Sequence, residues 1–158
     1  MRTGGSGGFM IRKYLFNDAL AVCVQQAQQH EANDFADAFN YIEAYTLQDQ
    51  EGNVLAVCGF SVDEEGCAEC FALIGKNIGK YLLQLVRFLK IEIPRLMIER
   101  CVFLVRMTVK KGFKAGERMA CLLGFSYVKE LPLFYMNCDY LLFERRNYGF
   151  TNNYGSGC

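Results

Sequence analysis

The sequence has little to offer several common kinds of chemistry. It carries no excess of charge: 17 basic residues stand against 17 acidic ones, for a formal net charge of zero. A protein whose main work is coating nucleic acid needs a basic surplus, so that class is not expected. It lacks any run of about 18 uncharged apolar residues, the length a membrane-spanning helix needs. The greasiest stretch, residues 81–96, is interrupted by Arg87, Lys90, Glu92 and Arg95, so no membrane span is expected. No apolar segment with a small-residue cleavage site follows the first residues, and a secretory signal is not expected either. It has a single histidine, His30, in a polar segment distant from every cysteine. That nearly excludes a Cys–His nucleophile, and Cys121 has no such partner. It has only one CxxC, Cys67-Ala68-Glu69-Cys70, with no second pair to complete a zinc site and no helix start to suit redox work. No metal is expected, and His30 reads as a surface residue.

What is present is a large apolar inventory: 52% hydrophobic residues, with 13 Phe and 9 Tyr among 158 positions. These rule out disorder for most of the chain and suit one folded domain. The eight cysteines lie mostly inside apolar runs such as Ala21-Val22-Cys23-Val24 and Ala120-Cys121-Leu122-Leu123. There Cys acts as a small hydrophobe, and a core of this size needs no staples. Reduced thiols in a cytoplasm are the expectation.

The pattern along the chain divides it into a flexible Gly-rich N-terminus (1–8), one domain (9–146) and a polar-aromatic extension (147–158). Residues 9–16 read as a strand. Asn17 offers a helix cap with Asp18 in the first turn, and residues 19–38 have helical spacing that Asn33-Asp34 can break in two. Residues 41–47, 54–62 and 67–74 read as three strands of an antiparallel meander, joined by turns at Asp49-Gln50-Glu51-Gly52-Asn53 and Asp63-Glu64-Glu65-Gly66. A polar loop with two glycines, residues 75–80, leads to a helix from Tyr81 to about Ile93, with Pro94 as its limit or a kink. A dense apolar strand over 101–109 follows, then a helix over 114–123 closed by Gly124 as a left-handed cap. Strands over 125–129 and 136–145, separated by Pro132, complete the order. The fold class is α+β: a mixed, mostly antiparallel sheet with helices on both faces.

This order, the glycine-bearing loop before a long helix, and the junction Leu122-Leu123-Gly124-Phe125 together resemble the GNAT acyltransferases over residues 10–144. The long helix, Pro94-Arg95-Leu96, the apolar strand and the second helix are further similar to small GNAT-like proteins encoded beside the structural genes of short-tailed phages. Some of those are internal virion proteins. The resemblance implies an acetyl-CoA site whose pyrophosphate rests on backbone N–H groups of an Arg/Gln-x-x-Gly-x-Gly/Ala loop. Here Lys76, Asn77, Ile78, Gly79 and Lys80 match it, with Tyr81 at the second small position. The family's Asn-x-x-Ala-x-x-x-Tyr, which contacts cofactor and protonates the departing thiolate, is replaced by Phe113, Gly116 and Ala120, and Tyr127 is a weak substitute. A general base for an amine would come from Glu69 or Glu43, each of which reads first as a solvated strand glutamate.

Lys110, Lys111, Lys114 and Arg118 form a basic cluster, either an anion patch or a solvated face. The aromatic groups Phe134-Tyr135-Met136 and Tyr140-Leu141-Leu142-Phe143, continued by Tyr148, Phe150 and Tyr154, suggest docking to a neighbouring subunit or folding back on the domain. Two roles therefore stand. One is a phage virion or assembly protein with a degenerate acyl-CoA site, acting through protein contacts in the host cytoplasm and the particle, with self-association through the tail. The other is an active acetyl-CoA-dependent N-acyltransferase.

Overall fold

The computed structural model describes residues 2–3, 8–24 and 26–147. The extension beyond Asn147, with Tyr148, Phe150 and Tyr154, and most of the Gly-rich N-terminus lie outside the described residues. The chain forms two compact units, Met1–Ser61 with Cys70–Leu85, and Val62–Glu69 with Val86–Cys158.

In the first unit, β1 (Arg2–Thr3) pairs with β2 (Phe9–Lys13), and β2 runs antiparallel to β3 (Glu43–Asp49) from Phe9 opposite Asp49 to Lys13 opposite Tyr45. β3 runs antiparallel to β4 (Val54–Val62), with a bulge at Leu47/Gln48. The Cys70–Ile74 half of β5 (Cys67–Ile74) completes this group. Residues 54–60 of β4 are buried without interruption, as a strand covered on both faces requires. Gly59 sits under α2 (Gln29–Phe39). A Cβ there would come within 2.4 Å of Ile42 Cδ1 and 2.8 Å of Phe39 Cε1, so only glycine permits this approach. Phe39, Val57, Leu73, Ala19, Val22 and Val24 share one core cluster.

The turns that frame β4 are built alike. Asp49 Oδ1 accepts the N–H groups of Glu51 and Asn53, and Asp63 Oδ1 accepts those of Glu65 and Cys67, all at 2.9 Å. A polar hub joins β2, α1 (Asp18–Ala21) and β3. The Asp18 carboxylate accepts from Arg12 at 2.6 Å, from the Leu15 N–H at 2.8 Å and from the fully buried Thr46 hydroxyl at 2.7 Å. Burial would raise the Asp18 pKa, but the Arg12 hydrogen bond, followed by those from Leu15 and Thr46, holds it below the usual carboxylate value.

In the second unit, β5 pairs in parallel with β6 (Leu104–Lys110) over Cys67–Glu69, β6 runs antiparallel to β8 (Cys138–Arg146), and β8 runs antiparallel to β7 (Ser126–Tyr135). The buried side chains include Ile93, Leu96 and Met97 of α3 (Leu82–Glu99), and Val102, Leu104, Val105, Met119, Ala120, Leu123, Phe125 and Phe143. The α+β class and the mostly antiparallel sheet follow the expectation.

Four local expectations are corrected. The first helical region breaks at Val22–Val24, not at Asn33-Asp34, which lie inside α2. There Val24 forms a bridge to Gly75, a tertiary bond that periodicity does not reveal. Asn17 adopts φ 67° and makes no side-chain cap; Asp18 reaches back to Leu15 instead. α3 does not stop at Pro94 but continues to Glu99. Loss of one helical bond is outweighed by burial of Ile93, Leu96 and Met97, and by Arg95, which bridges the buried Glu92 at 2.6 Å and also pairs with Glu99. β7 passes through Pro132 because it is the last strand in the order, where one edge needs no N–H.

Candidate functional site

The residues matched to the phosphate loop lie between the end of β5 and the start of α3. Gly75 N–H donates to Leu55 O at 2.8 Å, and Lys76 N–H donates to Cys23 O at 2.7 Å. Ile78, the only buried side chain of residues 76–80, anchors the loop and donates its N–H to Gly75 O at 3.2 Å. A 3-10 turn, Gly79–Tyr81, then runs directly into the 18-residue α3. Gly79 has φ +42°, and a Cβ built on it would meet nothing within 4 Å. The glycine is required by the backbone, and its outer face is open.

Among the described residues, the N–H groups of Asn77, Gly79 and Lys80 enter none of the turn, loop or cap hydrogen bonds. Three such donors before a long helix, at the positive end of its dipole, are a candidate anion cradle. Lys76 and Lys80 are exposed beside it. One turn into α3, Gln84 Oε1 is buried without a hydrogen-bond partner among the described residues. Tyr81 does not leave its ring loose over the loop. It packs on Phe9 of β2 with centroids 6.2 Å apart, and Lys80 Nζ stands 5.1 Å from its ring. A pyrophosphate fits these groups, and the residues that would hold it are Asn77, Gly79 and Lys80 through N–H, with Lys76 and Lys80 through charge.

The proton-transfer positions are different. Phe113 precedes α4 (Lys114–Leu122) without a side-chain cap. Its ring fills the space over Gly116, where a Cβ would lie 2.7 Å from Phe113 Cδ1 and 2.8 Å from Val109 Cγ1. Phe113 and Gly116 are thus a matched pair in which the ring occupies the place an alanine methyl would take. Ala120 is 0% exposed, leaving no room for a phenol. Tyr127 is exposed on β7 and meets Phe143 edge-on at 6.0 Å. Gly124, at φ +84°, ends α4 as expected, and Arg145 donates to Leu123 O at 2.8 Å there.

Of the two candidate bases, Glu69 is exposed on β5, whereas Glu43 on β3 is half-buried and accepts from Tyr45 Oη at 2.9 Å. Glu43 lies in the same unit as the loop; Glu69 lies in the other. The CxxC is no paired site: Cys67 and Cys70 form no disulfide, and burial followed by Asp63 pushes the Cys67 thiol up, away from reactivity. Cys23, Cys58, Cys121 and Cys138 likewise form no disulfide. His30 is half-buried, 3.8 Å from the buried Glu31. In the basic cluster Lys111 pairs with Glu130 at 2.8 Å and Lys114 with Glu117 at 2.9 Å, so much of its charge is answered locally. Among the described residues no group of His, Cys, Asp or Glu could hold a metal ion. No helix among them is long and apolar enough to cross a membrane.

One contact escaped the sequence reading. Gln28 is buried, and its side-chain amide binds β5: Nε2 donates to Ala72 O at 2.7 Å, and Oε1 accepts the Ile74 N–H at 2.9 Å. In sequence it is one of several glutamines, with nothing to mark it.

No protein-family model and no curated protein matches the sequence. Solved structures match the fold. The ribosomal-protein-S5-alanine acetyltransferase of Vibrio fischeri is similar with a TM-score of 0.68 at 11% identity, over 94% of this chain and 98% of that one. A GNAT-family acetyltransferase of Bacillus anthracis gives 0.65 at 12% identity, over 89% and 95%. YncA of Salmonella typhimurium, solved with its cofactor acetyl-CoA, gives 0.60 at 15% identity, over 89% and 94%. The chain has the fold of the GNAT acetyltransferases.

Proposed function

We propose that this protein binds acetyl-CoA and transfers the acyl group to an amine, as a GNAT-type N-acyltransferase. The observation that carries the reading is the set of unpaired N–H groups at Asn77, Gly79 and Lys80 before α3, with Lys76 and Lys80 beside them. The structure of YncA with acetyl-CoA supports the same cofactor on this fold. Bound acetyl-CoA supplies the thioester. An amine nitrogen attacks its carbonyl carbon, the C–N bond forms and the C–S bond breaks. The amine proton passes to a carboxylate, for which Glu43 is favoured over Glu69 because it is partly withdrawn from solvent. With Ala120 buried where the family's phenol would stand, the thiolate takes its proton from water.

A second reading has its own support: the domain serves a phage particle or its assembly through protein contacts, in the host cytoplasm and the virion. Leu133, Phe134 and Met136 at the end of β7 and its turn are 68%, 55% and 61% exposed, an apolar group of the kind that meets partners. Self-association through the 147–158 segment belongs to this reading. Titration calorimetry with acetyl-CoA and CoA separates the two. A saturable signal near micromolar affinity, about −8 kcal/mol, weakened in Lys76→Glu and Lys80→Glu, supports the enzyme. No heat at millimolar ligand removes it and leaves the contact role.

A further inference from the structure

The charge of this chain balances as a whole but not locally. Residues 1–69 carry 3 bases and 11 acids, and residues 70–158 carry 14 bases and 6 acids, giving formal charges of −8 and +8. Two helices bring this division to the surface. α2 contains Glu31, Asp34 and Asp37 and neither Lys nor Arg. Asp34, Asp37 and Ala38 are exposed at three- and four-residue steps, which place them on one side of the helix. Helical dihedrals at Asn40, and Tyr41 N–H donating to Ala38 O at 3.1 Å, carry the turn past Phe39. Tyr41, 89% exposed, ends the same side.

The exposed side of α3 has the opposite sign. Both acids of that helix are held by Arg95, Glu92 at 2.6 Å and Glu99 with it. Arg87, Lys90 and Ile91 are exposed, and the half-buried Pro94 is next in line at a four-residue step from Lys90. Ile91 is 55% exposed where the solvent side of a helix is ordinarily polar.

The two sides share one spacing. Asp34, Asp37, Ala38 and Tyr41 are matched by Arg87, Lys90, Ile91 and Pro94, each 53 positions further along the sequence. Laid parallel, α2 and α3 oppose Asp34 to Arg87, Asp37 to Lys90, Ala38 to Ile91 and Tyr41 to Pro94. That makes two pairs of opposite charge, then a large side chain over a small one, then an aromatic ring on a pyrrolidine. We propose that α2 of one molecule docks on α3 of a second copy in this register. An anionic lipid surface would answer Arg87 and Lys90 but would leave the acidic side of α2 and the shared spacing without a role. Neither side includes a residue of the loop before α3, so the proposal is independent of the acyl-CoA reading.

The contact covers about two helical turns and its ion pairs are exposed, so the association is weak and salt-sensitive. The test is sedimentation velocity of the full chain at about 100 µM, a concentration suited to a small interface, in low and in high salt. Wild type is expected to sediment faster than a monomer in low salt and as a monomer in high salt. Asp37→Lys and Lys90→Glu, each folded by circular dichroism, are expected to associate at least tenfold more weakly, because each sets like charges against each other. An equal mixture of the two variants is expected to regain the association, since Lys at 37 then meets Glu at 90. A monomeric wild type in low salt overturns the proposal, and if it then sediments with phosphatidylserine vesicles, the side of α3 belongs to a membrane. Association that survives both reversals assigns self-contact to another surface, such as the 147–158 segment, and a mixture that stays monomeric refutes the register.

Discussion

Restoring the family's residues before and within α4 tests whether Phe113 and Gly116 are a compensated pair. Gly116→Ala alone puts a methyl 2.7 Å from Phe113 Cδ1 and 2.8 Å from Val109 Cγ1, both well inside contact distance. Overpacking of this kind costs about 1–3 kcal/mol. Against it stands the helix propensity of Ala over Gly, worth about 1 kcal/mol. The expected net loss is about 1 kcal/mol. Phe113→Asn removes a half-buried ring and opens the space over Gly116, at a loss of about 1–2 kcal/mol, reduced if Asn caps the helix start. In the double variant the ring clash is gone and only the Val109 contact remains, so the Gly116→Ala substitution recovers most of its propensity gain. The coupling between the two sites should therefore be at least about 1 kcal/mol in favour of the double variant. Urea denaturation of the four proteins at neutral pH measures it, with slopes compared to establish a common denatured state. Additivity within about 0.3–0.5 kcal/mol would refute the pairing and return Phe113 to the status of a simple loss.

Three further outcomes follow from single sites. Asp18→Asn should destabilise the protein by about 2–3 kcal/mol at pH 7, since it removes the partner of Arg12 and weakens the bonds to Leu15 and Thr46. Because the native pKa of Asp18 lies below its unfolded value, that contribution is complete above the unfolded pKa of 3.8 and disappears as pH falls through the lower native one. Wild type and variant should thus converge in acid when their urea midpoints are compared, and a constant gap would contradict the hub. Gly79→Ala should cost about 1–2 kcal/mol in thermal or urea unfolding, because φ +42° is strained for any residue with a Cβ although no atom blocks it; an unchanged midpoint would show that the loop adopts another conformation. Arg145→Ala should cost about 1 kcal/mol through the bared Leu123 carbonyl at the end of α4, read by the same urea midpoints.

The parts of this fold that could be read in sequence are those decided by short-range chemistry. The turns on either side of β4 fall where expected because Asp49 and Asp63 each fold a turn with their own carboxylate, within four residues. Gly124 marks the end of α4 because a left-handed residue is needed there. The parts that could not be read depend on distant partners. Nothing near Val24 announces its bridge to Gly75, and Pro94 and Pro132 punctuate a sequence without showing that packing, or an edge position, overrides them. Gln28 belongs to this second group, since its partners Ala72 and Ile74 lie more than forty residues away.

The site divides along the same line, and the division bears on its chemistry. Phosphate binding needs backbone N–H groups held by a tight turn, and a glycine at a fixed place is enough to reveal that in sequence. Proton transfer needs particular side chains brought together from several elements. Here the aligned positions carry Phe113, Gly116 and a buried Ala120, which pack against their neighbours rather than titrate. Direct attack on a thioester tolerates such a loss better than most acyl transfers, because a thiolate leaves without prior protonation. It does not tolerate loss of the groups that would hold the acyl donor in place. On the proposed acyltransferase reading, three loop donors beside a replaced phenol leave the rate to be set by the amine's own deprotonation. Activity, if measured on an amine of high pKa, should climb tenfold per pH unit until that amine titrates, and a rate that stays flat with pH below that point would refute a limit set by the amine's deprotonation.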